Sequence, residues 1–474
     1  MYKSPITTRN CLLATLVVGL GVAPLANATG FALVSNDHDS GPGSLRYALE
    51  ESRANQIFIL PRVDTINIAE SLDYNGRSPL TILGTGQTIR TDKNLTLLSI
   101  NQGADLYLAN LSFEGRRNFY SINNRGDLNG QAGKGIFVDV REDQAGTLFV
   151  GLRNVSVTGV PNHGIHISDC SLADDCGAGA GGGGNGSDAS IVLNVRGVSV
   201  QDVGNGKFDA DGLRVDDRGE GNIIFRARYS SFNDVGADGV ELDEGDAGHV
   251  YADIRHSDFS DNGGYCDPHL LGPYLPAQPE GEFAESEKVT EAQIPPAVTG
   301  SPDDSCFERE VEFYDSGFVE EYEIGIDVDD GIDFDEAGTG SLIAAMKHST
   351  IGNNLDEGVD FDEEDHGDAW LDLVRTRAFG NADDGFKLSE EDAGSVLADL
   401  RRVVSTDNGG KGVVLEEADE GSFFAKVIRT YTANNDDGDD TGIEAVQEDD
   451  GAGNLKVRGS NITDGIDTDG VDEL

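Results

Sequence analysis

The sequence predicts an all-β solenoid, a parallel β-helix, and three observations carry that expectation. An acidic seven-residue signature returns every 27 residues within each of two runs, apolar and polar residues alternate after each repeat glycine, and Gly, Asp and Asn crowd the intervals. A fixed period of this size marks stacked units that cannot close a core alone.

The signature reads Asp-Gly-Leu-Arg-Val-Asp-Asp at Asp211–Asp217 and Asp-Gly-Val-Glu-Leu-Asp-Glu at Asp238–Glu244. It returns at Asp330–Glu336 and Glu357–Glu363, with weaker copies at Asp384–Glu390 and Lys411–Glu417. Count each repeat from its glycine as zero. Positions +1 and +3 are then apolar, as in Val240 and Leu242, Ile332 and Phe334, and Val359 and Phe361. Positions +2 and +4 are mostly charged, so the period is that of a strand. A second glycine at +9, such as Gly340, Gly367 and Gly394, suits a tight turn or a positive φ. A second alternating run follows, as at Trp370–Arg375. A third, shorter patch precedes an asparagine at +23: Asn262, Asn354, Asn381, Asn408 and Asn435. Turn asparagines adopt left-handed conformations and, when stacked, bond one another. Three short strands per repeat close a core only against the next repeat. A helical solenoid is disfavoured, because Gly, Asp and Asn are too frequent and no 3.6-residue stripe persists.

This arrangement resembles the right-handed parallel β-helices of the pectin lyase-like superfamily. The segments Asn36–Leu49, with its Gly43-Ser44-Leu45-Arg46, and Leu80–Ile89 resemble the opening of exported bacterial β-helix proteins. The resemblance implies a single-stranded right-handed β-helix with an N-terminal capping helix. It implies fold and export more than activity, because the fold hosts lyases, hydrolases, epimerases, adhesins and tailspikes.

Residues 1–28 read as a secretory leader: Lys3 and Arg9, the apolar Cys11–Leu20, then Ala26-Asn27-Ala28. The solenoid is expected over 29–474, secreted or held in the periplasm or at the cell surface. No other run is apolar enough to span a membrane. Four cysteines follow the leader and suit an oxidising compartment, with local pairing expected for Cys170 with Cys176 and Cys266 with Cys306. There are 87 acidic and 34 basic residues, a formal net charge of −53. Such a chain does not bind nucleic acid or an anionic membrane through bulk charge, and it repels polyanions unless cations intervene. The oligomeric state is left open.

Two stretches break the repeat, a Gly-rich loop over 170–188 and a Pro-rich insertion over 265–321. The insertion is long for filler and reads as a functional arm or lid. Its Asp267-Pro268-His269 resembles part of the Asp-Pro-His-Asp motif of alginate epimerases, but Leu270 replaces the last acid.

The acids form columns at +2, +4 and +5. Neighbours on a ladder lie roughly 4.8 Å apart. Like charges at that distance repel by about 0.9 kcal/mol in bulk water, and by a few kcal/mol at an effective dielectric of about 20. Three offsets are open. Calcium takes six to eight oxygens, and Asp209-Ala-Asp211-Gly212 and Asp327–Glu336 look like the starts of calcium loops without the full spacing. Its candidate ligands are Asp209, Asp211, Asp216, Asp217, Asp243, Glu244, Asp327, Asp329, Asp333, Asp335, Glu336, Asp360, Asp362 and Glu363. Bases at +16 or +17, such as Arg228, Arg255, Lys347, Arg375, Arg401, Arg402 and Arg429, could pair with the acids internally. High salt would screen exposed acids.

Two functions follow. The first is a non-catalytic, calcium-binding module for surface or matrix adhesion or polysaccharide contact. The second, implied by the family resemblance, is a calcium-dependent polysaccharide lyase. Its base would be Lys347, Arg375 or Arg402, and calcium would acidify the proton next to a uronate carboxylate.

Overall fold

The computed structural model describes residues 30–116, 132–169, 186–296, 298, 300–435, 441–448 and 451–474. The expected leader and the Cys170–Cys176 pair lie outside these residues, as does most of the Gly-rich loop. The described chain is a parallel β-helix. Each coil supplies three strands, and each strand pairs in parallel with its counterpart one coil on. The first strands form a twelve-stranded sheet from Leu72–Tyr74 to Ile466–Asp469. This acidic ladder carries the signature, for example in Val240–Glu244, Ile332–Gly338 and Asp360–Asp365. The second ladder runs through Val250–Arg255, Leu342–Lys347, Asp368–Val374, Ser395–Arg401 and Phe424–Ile428. The third runs through Asp258–Ser260, Thr350–Gly352 and Arg377–Phe379. In early coils the second and third merge, so that Ala145–Thr158 pairs with both Asp188–Arg196 and Ser199–Val203.

The repeat register is the sequence register. Asp333, Phe334, Asp335 and Glu336 pair with Asp360, Phe361, Asp362 and Glu363. Positions +1 and +3 are fully buried in one core that runs the length of the described solenoid. Phe334 and Phe361 stack there, with ring centroids 4.5 Å apart. The asparagines form a buried ladder: Nδ2 of Asn262, Asn354, Asn381 and Asn408 each donates to Oδ1 of the next, at 3.1, 3.0, 3.0 and 2.7 Å. Glycine at position zero makes room for it, since a Cβ on Gly358 would lie 2.6 Å from Asn381 Nδ2.

Two expectations need correction. The +9 glycines are not left-handed; a Cβ on Gly367 or Gly394 would strike the carbonyl of the preceding coil's glycine and the buried glutamate at +5. The left-handed residues are Asp365, Asp392 and Asp419 at +7, with φ of 77°, 78° and 77°. In place of a capping helix there is one five-residue helical turn, Tyr47–Glu51, with Ala48 and Leu49 buried. Arg46 ties it down through Asp39 and Glu50 at 2.7 and 2.8 Å. The Pro-rich insertion is a folded unit with its own antiparallel sheet of Glu280–Glu282, Glu310–Phe313 and Val319–Glu323. Its core gathers Ile294, Val319, Tyr322 and Ile324. The expected Cys266–Cys306 disulfide is present, with Cα atoms 5.4 Å apart. Asp267 caps the turn Pro268–Leu271, accepting from His269 N at 2.8 Å, which gives the Asp-Pro-His segment a local structural use.

Candidate functional site

Alternation turns +2 and +4 of the acidic ladder outward and +1 and +3 inward. The +2 column reads His166, Arg214, Glu241, Asp333, Asp360 and Lys387 in consecutive coils. The +4 column beside it reads Ser168, Asp216, Asp243, Asp335, Asp362 and Ser389.

Bases hold both ends of this acidic run. Arg214 is buried among carboxylates: Asp216 Oδ1 at 2.7 Å, Glu241 Oε2 at 2.7 Å, Asp209 Oδ1 at 3.1 Å and Asp211 Oδ2 at 3.6 Å. Arg218 grips Asp243 with both terminal nitrogens. At the other end Lys387 Nζ lies 2.8 Å from Asp360 and 3.9 Å from Asp362. Between them Glu241, Asp333 and Asp335 bring ligand oxygens within 4.8 Å of one another. Burial and then Asp335 push Asp333 well above the usual carboxylate range, and burial and then Asp243 do so for Asp335. Glu241 is raised by burial against the pull of Arg214.

Two more clusters meet the same spacing. Asp209, Asp211 and Glu241 surround Arg214, so that cluster already holds a cation. Asp330, Asp356 and Glu357 form the other, and Asp330 Oδ1 there is buried without a hydrogen-bond partner. Asp327 and Asp329 lie on the chain returning from the insertion. Asp327 is pushed up to about 8 by burial and then Glu308, and Asp329 is raised by burial and then Asp238.

The +5 residues take a different place. Asp217, Glu244, Glu336, Glu363, Glu390 and Glu417 are fully buried. They stack in register and end on Gln447. The oxygens of Glu336, Glu363 and Glu390 find no hydrogen-bond partner while every rung is ionised. Burial first, and neighbouring rungs next, push Glu244 up to about 10 and Glu363 to about 11. Burial carries Glu336 to about 7 and, with Glu417 next, Glu390 to about 8. Protons on the carboxyls supply the missing donors, so burial favours the neutral acid along this column, most strongly at Glu244 and Glu363. Asp217, Glu244, Glu336 and Glu363 are therefore not brought together with the outward acids as ligands.

Nor are the expected bases. Lys347 is on the second ladder, 3.0 Å from Asp372, and Arg375 and Arg402 are exposed left-handed residues in the turn beyond it. The pairing found on the acidic ladder comes from Arg214, Arg218, Lys387 and, on a later coil, Lys411, 2.6 Å from Glu444.

A second constellation escaped the sequence reading. Lys134, His163 and His166 lie on the ladder before the regular repeat, all buried. Lys134 Nζ is 2.6 Å from His166 Nδ1, and His166 Nε2 is 2.6 Å from Asp216 Oδ2. His163 Nδ1 accepts from the Asp211 backbone N–H at 2.9 Å. Burial, then Lys134, pushes His166 down to about 4. Burial opposes ionisation of Asp216, but Arg214 and then His166 hold it far below the usual range. His166 is thus a neutral imidazole, its Nε2–H donated to a carboxylate and its Nδ1 accepting from an ammonium. The signal was present: Gly135 and Gly164 each precede an alternating strand, Ile136–Asp139 and Ile165–Ser168.

No family model and no curated protein matches the chain. Two solved structures align with it. The Dettilon tailspike protein (gp208) aligns at 11% identity and a TM-score of 0.33, over 87% of this chain and 61% of that one. This chain thus spans less than two thirds of the tailspike's length. The Azotobacter vinelandii mannuronan C-5 epimerase AlgE6 A-module aligns at 8% identity and a TM-score of 0.33, over 90% of this chain and 95% of that one.

Proposed function

We propose that this protein is an exported, non-catalytic calcium-binding β-helix that contacts anionic polysaccharide at a cell surface or in a matrix. The carrying observation is the Glu241–Asp333–Asp335 cluster, whose ligand oxygens converge where Arg214 reaches Glu241 but no base of the described residues pairs with Asp333 or Asp335. All of its donors are hard carboxylate oxygens, the ligand class that calcium takes. Three carboxylates leave coordination positions for water or a uronate carboxylate, and so give a chain of net charge −53 a route to a polyanion. The leader read in the sequence and the Cys266–Cys306 disulfide support export. Calorimetry with Ca2+ in moderate salt tests this. Binding heat and a raised Tm are expected, and both are lost in Asp333→Asn/Asp335→Asn. No heat, or a Tm that responds equally to NaCl and CaCl2 at matched ionic strength, refutes it in favour of plain screening.

The Lys134–His166–Asp216 array favours a second reading, a polysaccharide-active enzyme, because it breaks the repeat beside the acidic clusters. Its burial ranks it second, since a general base must reach the proton it takes. Ultraviolet absorbance of unsaturated ends in alginate or pectate, lost in His166→Gln, would promote it. An unchanged polymer sinks it.

A further inference from the structure

The outer face of the second ladder has an order that neither the fold nor the acidic ladder requires. The register stacks apolar and aromatic side chains over eight rungs, at +12 in the regular coils, from Phe149 through Ile343, Trp370 and Leu397 to Phe424. Trp370 is 43% exposed, Phe424 47% and Phe149 52%. Between them Ile224, Tyr251, Ile343 and Leu397 are half-buried and only Val192 is buried, so the column leaves apolar surface open along most of its length, and an apolar stripe of this kind marks an interaction surface.

In the last three coils each edge of the stripe carries one sign of charge, where the earlier rungs hold Gly338, Asp246 and Gly219 before the column and His348, His256 and Tyr229 after it. Five residues before the column, in the turn from the acidic ladder, stand Asp365, Asp392 and Asp419, all exposed. Five residues after it, in the turn to the third ladder, stand Arg375, Arg402 and Arg429, also exposed and without a carboxylate partner among the described residues. Both sets hold left-handed backbone, with φ of 77°, 78° and 77° for the acids and 53°, 59° and 54° for the arginines. Each triplet occupies one coil: Asp365–Trp370–Arg375, Asp392–Leu397–Arg402 and Asp419–Phe424–Arg429.

We propose that this face is where two copies of the chain dock, about a two-fold axis parallel to the coil axis. Such a rotation keeps every rung at its own height and reverses the strand direction. The apolar column lies midway between the edges, so it meets itself. The acid edge of one copy then faces the arginine edge of the other, Asp365 against the partner's Arg375. An interface of this kind is isologous and self-complementary. Eight rungs at about 4.8 Å, times about 20 Å of strand, give roughly 770 Å² per copy, close to the ~800 Å² of a standard interface. A free polyanion fits less well. It matches the arginine edge but meets the acid edge across the stripe, on a chain of net charge −53. A surface with an apolar centre and both edges in reverse order satisfies these three columns, and this chain carries one; between them the rotation sets Asp368 opposite the partner's Asp372, whose charge Lys347 and Arg401 already meet within the chain. The net charge opposes association, so dimerisation strengthens as salt screens it.

The test is the mass of the full chain by light scattering across concentration and salt, with the fold of every variant checked by far-ultraviolet circular dichroism. Wild type is expected to dimerise, and Trp370→Glu/Phe424→Glu to stay monomeric. Two edge variants separate this interface from any other. One is all acidic (Arg375→Asp/Arg402→Asp/Arg429→Asp) and the other all basic (Asp365→Lys/Asp392→Lys/Asp419→Lys). Each alone should self-associate on the order of tenfold more weakly or worse. Mixed, they should pair one to one, because each then presents what the other lacks. A wild-type monomer under all conditions overturns the proposal. So does a dimer that survives in both edge variants, or arginine-dependent binding of polyuronate to a chain that never dimerises.

Discussion

Replacing Glu363 by glutamine tests whether the buried acid column is neutral. Glu363 is fully buried, neither of its oxygens has a hydrogen-bond partner, and its carboxyl is pushed up to about 11. In an unfolded chain a glutamate titrates near ~4.3. The folded value is the higher, so the folded state holds the extra proton throughout the interval. The stability this contributes is complete below about pH 4.3 and is lost as pH rises toward the folded value. Each pH unit inside the interval removes about 1.4 kcal/mol per such group. From about pH 5 to about pH 7 the loss at Glu363 alone is ~2.7 kcal/mol. Glutamine keeps the shape and has no such proton to lose, and the column itself ends on Gln447 opposite Glu417. Glu363→Gln should therefore gain ~2.7 kcal/mol over wild type between those two pH values. Urea unfolding in chelator, followed by the fluorescence of Trp370, the chain's one tryptophan, measures the difference. The exposed Glu391 gives the control: Glu391→Gln removes the same formal charge from the surface. An advantage that does not grow with pH, or that Glu391→Gln matches, refutes a neutral column.

Three further outcomes are expected. Asn381→Ala breaks the bonds that join Asn381 to Asn354 and Asn408, each at 3.0 Å; leaving buried amides unpaired should cost about 1–3 kcal/mol in urea unfolding. Reducing Cys266–Cys306, which are 40 residues apart, releases a constraint worth about 4 kcal/mol. Limited proteolysis should then cut within the insertion while the β-helix signal in circular dichroism stays. Arg214→Met leaves the carboxylates of Asp216, Glu241 and Asp209 facing one another. The expected loss is about 3–5 kcal/mol, with part of the Tm recovered by Ca2+ and none by Na+ at equal ionic strength.

The coil was legible because its rules are local. Alternation fixed Phe334 and Phe361 as core, and one asparagine per repeat fixed the buried ladder. The same alternation places +5 on the inward parity with +1 and +3, but acidic identity hid this and grouped Glu336 and Glu363 with the outward ligands. A buried glutamate breaks the usual link between charge and surface, and a stack of like acids escapes the break by keeping its protons. The bases misled for another reason. Arg375 and Arg402 recur at the repeat spacing, but a recurring residue shares its height with the acids and not its face. Lys134, His163 and His166 were missed because their coils fall outside the regular spacing, although Gly135 and Gly164 keep the local pattern.

The repulsion implied by the columns is met in three places by three means. Inside, burial and neighbouring rungs favour the protonated acid along the +5 stack. At the two ends of the outward run, Arg214, Arg218 and Lys387 neutralise Asp216, Asp243 and Asp360 directly. The rungs between keep Glu241, Asp333 and Asp335 within ligand distance of one another. Internal bases at every rung would have been the simpler arrangement for stability alone. The +2 column instead changes from Arg214 to acids and back to Lys387. On the proposed reading, a gap of that kind sets where along the ladder an external cation would bind, because Asp333 and Asp335 there have no base of the described chain beside them, while Glu241 is shared with Arg214.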